Sequence, residues 1–196
     1  MIVYIEGVDG SGKSTFAKAI TKHLQEQGFD VVPKAEKFMV THPWRLDRVN
    51  KDKLLFELNR CLNSGAIYIV DRGELSDIIY RVFDNEKYSA LMPLNEYYLH
   101  FREYSTEYIM VHCDSIRSEE LMLARGEDNP ISITEHQRLR YLFNMIMPLF
   151  GAIKFDAAIS IASPAYLDAM CRNIATRLLQ KQCTRELIAE YGTKHG

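Results

Sequence analysis

A short apolar run, Ile2-Val3-Tyr4-Ile5, passes directly into Glu6-Gly7-Val8-Asp9-Gly10-Ser11-Gly12-Lys13-Ser14-Thr15. The stretch from Gly7 satisfies Gly-x-x-x-x-Gly-Lys-Ser/Thr, with a strand signal before it and a helix signal after it. Glycines let this backbone wrap closely enough to turn its N–H groups onto phosphate oxygens, and the new helix presents its positive dipole end to the same anion. Gly7, Gly10, Ser11, Gly12, Lys13, Ser14 and Thr15 are thus the expected ATP-binding set. Lys13, solvent-facing in the empty loop, would reach the β- and γ-phosphates, and Ser14 would hold Mg2+.

Periodicity carries the reading along the chain. Phe16, Ile20 and Leu24 share one helical face, and Gly28 ends that helix. Phe29-Asp30-Val31-Val32 reads as a second strand stopped by Pro33. Residues 34–50 have no clean period, and 52–63 reads as a helix. Ala66-Ile67-Tyr68-Ile69-Val70 is a continuous apolar run, as in a strand buried on both faces. Helices are expected near 74–83 and 93–105, a fourth strand at Tyr108–His112, and a helix over Ser115–Arg125. Thr134-x-x-Gln137 reads as a capping box opening a helix to about Phe150. Ala157-Ala158-Ile159-Ser160-Ile161 reads as strand five, with Ser163-Pro164 starting the last helix. Alternating strands and helices predict an α/β fold with a five-stranded parallel sheet and helices on both faces, in one domain over 1–196, with a polar tail from about 184.

Composition excludes several classes. A formal net charge of −2 argues against a strongly basic nucleic-acid-binding body. The four cysteines, Cys61, Cys113, Cys171 and Cys183, form no zinc-spaced pair, and His42, His100, His112 and His136 have no metal-ligand spacing. No apolar run approaches a membrane span and no leader precedes the first strand, so a cytoplasmic protein without membrane association is expected.

Asp71-Arg72 follows a buried strand, at the sheet edge where ligands bind in open parallel sheets. There Asp71 would act toward magnesium and Arg72 would clamp the acceptor or the transferred phosphoryl group; the plainer alternative is an ion pair capping the strand end. Residues 125–133, from Arg125-Gly126-Glu127 onward, read as a hinged arginine-bearing lid leading into a helix with Arg138 and Arg140. Asp9 would repel phosphates unless it faces another partner, such as an acceptor hydroxyl. Glu36 is a candidate general base or a solvated loop residue. Phe38, Trp44, Tyr80, Tyr97, Tyr98, Phe101 and Tyr104 offer a stacking surface or core packing, with Tyr80 assigned to the acceptor side.

Taken together, the Glu6–Thr15 loop, Val70-Asp71-Arg72 and the Arg125-Gly126-Glu127 segment resemble the thymidylate kinase family and its deoxynucleoside kinase relatives. The resemblance covers most of the chain and implies a P-loop NTPase fold with phosphoryl transfer from ATP to a deoxynucleotide or deoxynucleoside. It implies that Asp9 faces the acceptor sugar and that Arg72 contacts its 5′ end. Asp71-Arg72-Gly73-Glu74-Leu75-Ser76-Asp77 is closer to the deoxynucleoside kinases. Lys34 stands where those enzymes keep a catalytic glutamate, leaving Glu36 as a displaced candidate. The phenylalanine and arginine with which thymidylate kinases hold thymine are absent. A DNA acceptor, a non-catalytic or regulatory P-loop NTPase and a homodimer are the alternatives carried forward.

Overall fold

The computed structural model describes residues 1–34, 63–83, 107–124 and 131–195, with isolated positions 95, 98, 99 and 102. Strand β1 is Ile2–Glu6, β2 Val31–Lys34, β3 Ile67–Asp71, β4 Tyr108–Asp114 and β5 Ile153–Asp156. They form one all-parallel sheet in the order β2-β3-β1-β4-β5. The described helices are α1 Lys13–Glu26, α2 Glu74–Phe83, α3 Ser118–Ala124, α4 Ile133–Ile146, α5 Ala157–Ala162 and α6 Pro164–His195, with a 3-10 turn at Met147–Phe150.

Side chains alternate across a strand, so the apolar run of β1 serves two cores at once. Ile2 and Tyr4 join Leu75 and Ile79 of α2 and Leu139 and Phe143 of α4. Val3 and Ile5 join Phe16, Ile20 and Leu24 of α1 with Ile174 and Leu178 of α6 on the other face. All strands point the same way, so their carboxyl ends meet at one edge. Glu6, Asp71, Asp114 and Asp156 close four of them there.

Four boundaries differ from the sequence expectation. Pro33 lies within β2 rather than stopping it, which is tolerated because β2 is an edge strand and proline removes a donor only from the ladder. Strand five is Ile153–Asp156, not Ala157–Ile161; Asp156 accepts hydrogen bonds from the N–H groups of Ala158 (2.9 Å) and Ile159 (3.3 Å) and so turns the apolar run into α5. The capping box of α4 is Ser132/Glu135, two residues before the expected Thr134/Gln137. The segment from 184 is not an irregular tail, because α6 continues to His195.

Candidate active site

The phosphate-binding loop starts where β1 ends. Gly7 has φ +146°, and a Cβ there would lie 2.2 Å from the Cys113 carbonyl oxygen of β4. Gly12 has φ +87°, and a Cβ there would lie 2.5 Å from that of Ala157. A side chain at Gly7 would push the loop away from β4, and one at Gly12 would push it away from the start of α5. Gly12 starts α1 without a side-chain cap, so the first-turn amides are left for an anion. The Ser11 hydroxyl is buried with no partner among the described residues.

Lys13 is not solvent-facing as expected. It is 6% exposed, and its Nζ donates to the Val8 carbonyl at 2.5 Å, because the curled loop brings its own backbone over the start of α1. Asp71 and Arg72 do not pair with each other. The Ser14 hydroxyl donates to Asp71 Oδ2 at 2.7 Å, and Asp71 Oδ1 is buried with no partner among the described residues. An orphaned carboxylate oxygen beside a hydroxyl is a hard-oxygen donor set, the kind that fits magnesium when phosphates and water complete an octahedron. The described residues contain no group of three or more His, Cys, Asp or Glu that could enclose a metal without such help. A cleft of about 330 Å³ runs from this pair along α1, between Lys18 and Lys22 on the helix and Pro33 and Ile69 on the sheet.

Arg72 turns the other way. Its guanidinium forms an ion pair with Asp9 and lies over the Tyr80 ring, 5.9 Å from the centroid. The Tyr80 hydroxyl donates to the second Asp9 oxygen at 3.1 Å. Residue 72 adopts φ +65°, a left-handed conformation unusual for arginine, and its N–H donates to the Ile5 carbonyl at 2.9 Å. Three of the expected acceptor-side residues, Asp9, Arg72 and Tyr80, therefore meet in one cluster. Glu36 and Arg125 lie outside the described residues, as do Phe38, Trp44, Tyr97, Phe101 and Tyr104.

Sequence reading assigned no role to four residues here, Glu6, Asp114, His112 and His136. Glu6 is fully buried at the end of β1 and accepts from the Gly73 N–H at 2.9 Å and from the Ser76 hydroxyl, which fixes the chain just after Arg72. Asp114 accepts from Arg140 Nε (2.6 Å) and Nη2 (3.2 Å) and pairs with Lys154 Nζ at 3.0 Å. Burial alone would raise its pKa, but the hydrogen bonds from Arg140 and Lys154 hold the carboxyl well below the usual carboxylate range. Arg140, on the helix that follows the expected lid, is anchored to the sheet. His112 is pushed down to about 4, chiefly by burial, and stacks on Phe143. His136 reaches the loop at Asp9.

No family model matches the chain. A probable thymidylate kinase of Thermoplasma volcanium is 29% identical over 99 residues, which cover 42% of this chain and 47% of that protein. The chain thus matches about half the length of that relative. Over that stretch the chain resembles a thymidylate kinase. The YorR protein of Bacillus subtilis, solved in complex with phosphorylated GDP, superposes with a TM-score of 0.55 at 15% identity, covering 100% of this chain and 99% of that one. Deoxyadenosine kinase from M. mycoides, solved with the products dCMP and dCDP, superposes with a TM-score of 0.52 at 14% identity, covering 90% and 99%. At these identities the two structures show the fold alone, an α/β P-loop NTPase fold. No helix among its described residues is long and apolar enough to cross a membrane.

Proposed function

We propose that the protein is a kinase that transfers the γ-phosphoryl group of ATP, with Mg2+, to a deoxynucleotide or deoxynucleoside. The observation that carries this reading is the Ser14–Asp71 pair, with its orphaned Asp71 oxygen, flanked by the Asp9–Arg72–Tyr80 cluster. In this reading the loop amides and Lys13 hold the donor phosphates. Ser14 and Asp71 hold the magnesium ion, which when bound would neutralise charge on the phosphates. Arg72 would clamp the acceptor or the transferred phosphoryl group, and Asp9 and Tyr80 would orient the acceptor. Arg125, within an arginine-bearing lid over 125–133 of a single kinase domain, would neutralise charge that develops between the two phosphates. The relatives support a nucleotide acceptor, since deoxyadenosine kinase holds deoxynucleotides and YorR a phosphorylated guanine nucleotide.

The test is transfer of labelled γ-phosphate by the purified protein, with magnesium, to a panel of deoxynucleosides, deoxynucleoside monophosphates and an oligonucleotide. Labelled product from one of the small acceptors is expected. Labelling of the oligonucleotide alone would replace the acceptor class with DNA, and hydrolysis without transfer would favour a regulatory NTPase.

A further inference from the structure

Helix α4 reaches the phosphate-binding loop through one side chain. His136 is completely buried, and its Nε2 lies 2.9 Å from the main-chain carbonyl oxygen of Asp9. A carbonyl only accepts, so Nε2 carries the proton and Nδ1 is left as a lone-pair acceptor. That Nδ1 is buried with no partner among the described residues. Charging the ring would bury a second N–H with no acceptor among the described residues to receive it. Burial lowers the pKa of His136; Glu119 of α3 opposes this, and Arg140 of α4 and Lys13 of α1 reinforce it.

The bond is held from both ends. The Ser132/Glu135 capping box fixes the first turn of α4, which carries His136, and Leu139 and Phe143 further along the helix pack into the core. Asp9, on the other side, uses its carboxylate on Arg72 and Tyr80 and its carbonyl on His136. A leucine of similar size could fill the space under α4 without leaving a nitrogen unpartnered. What the imidazole adds is the donated hydrogen bond.

We propose that His136 is a positioning residue for the acceptor side of the site. By pinning the Asp9 carbonyl it sets the direction in which the Asp9 carboxylate leaves the loop, and through that carboxylate the place of the Arg72 guanidinium. The donor phosphates are held by other amides of the loop and by Lys13, so the effect of His136 falls on the acceptor. This inference rests on the kinase reading above.

The experiment compares His136→Leu and His136→Met, which remove the donor, with His136→Gln, whose amide N–H can reach the same carbonyl. Thermal melts establish which variants are folded. In the folded apolar variants the acceptor KM rises about tenfold while the ATP KM stays within about twofold, and His136→Gln brings the acceptor KM back to within about threefold of wild type. A second readout needs no activity. The backbone amide resonances of Val8, Asp9 and Gly10 shift in the apolar variants and return in His136→Gln. Equal acceptor KM in the glutamine and apolar variants, a parallel rise in both KM values, or unmoved loop resonances in a folded apolar variant would each overturn the proposal. If wild type transfers to no acceptor at all, the kinase reading fails, and the resonances alone then decide for or against the positioning.

Discussion

Arg72 combines a strained backbone with a central place in the site, so two substitutions can separate stability from function. Its φ of +65° belongs to a region that costs a residue with a Cβ about 1–2 kcal/mol. Arg72→Ala and Arg72→Gly both lose the ion pair to Asp9, a partly exposed pair (29% and 24%) worth at most about 1 kcal/mol, and the contact over the Tyr80 ring, worth about 0.5–1 kcal/mol. Alanine keeps the left-handed strain. Glycine relieves it, at the expense of about 0.4–1 kcal/mol of added freedom in the unfolded chain, which leaves glycine ahead by about 1 kcal/mol. For a chain of this size that is about 2–4 °C in melting temperature. Differential scanning calorimetry of the three proteins should order them as wild type, then glycine close behind, then alanine lowest. Both variants should lose at least about a hundredfold in transfer rate while holding an ATP analogue within about threefold of wild type. An alanine variant as stable as the glycine variant would refute the strain argument. A large loss of analogue affinity with normal acceptor affinity would refute the acceptor-side placement.

Lys13→Ala should cut transfer at least about a hundredfold and, because Nζ also ties down the Val8 carbonyl, lower stability by about 1 kcal/mol; steady-state rates and urea melts check both, and activity within about tenfold of wild type would sink the loop assignment. The Asp114 carboxyl, depressed by Arg140 and Lys154, stabilises the fold fully above its unfolded value of about 3.9, and that contribution is lost as pH falls through the lower folded value. Melting temperature should therefore fall more steeply with acid for wild type than for Asp114→Asn, and parallel curves would contradict the pairing. Asp9→Asn should raise the acceptor KM and blunt discrimination between acceptors with and without a 3′-hydroxyl; undiminished discrimination against 3′-deoxy acceptors would remove Asp9 from the acceptor site.

Features fixed by local backbone chemistry were legible in the sequence. The loop was readable because only glycine can stand where a Cβ would meet the Cys113 carbonyl or Ala157. Strand β3 was readable because a strand buried on both faces must be apolar throughout, and Asp71-Arg72 stood out as charge at the end of such a run. Strand β5 was missed for the opposite reason. It is an edge strand in which buried Phe155 alternates with Lys154, and Lys154 turns outward to reach Asp114, so no continuous run marks it. The capping box was misplaced because Ser132-x-x-Glu135 and Thr134-x-x-Gln137 both fit the rule, and local pattern does not rank them.

The pairing of charges lay beyond a linear reading for a topological reason. Arg72 is next to Asp71 in sequence yet pairs with Asp9, because a parallel sheet brings the ends of β1 and β3 side by side, in the register Ile5 to Asp71, and the left-handed turn at residue 72 sends its side chain across the loop. Glu6, Asp114 and His136 draw their partners in the same way from elements far along the chain. A carboxylate at a buried strand end cannot stay unpaired in a medium of low dielectric, so each such residue implies a donor somewhere at that edge. Sequence alone names the carboxylate and requires the donor, and only the order of the strands says which residue supplies it. In this chain the acidic strand ends answer differently. Glu6 is satisfied by a backbone N–H and a hydroxyl, Asp114 by two cations, and Asp156 by the helix it caps, whereas Asp71 alone among them keeps a buried oxygen with no described partner. That unmet oxygen belongs to the carboxylate whose other oxygen accepts from Ser14, and it is the acceptor that the proposed magnesium ion would satisfy.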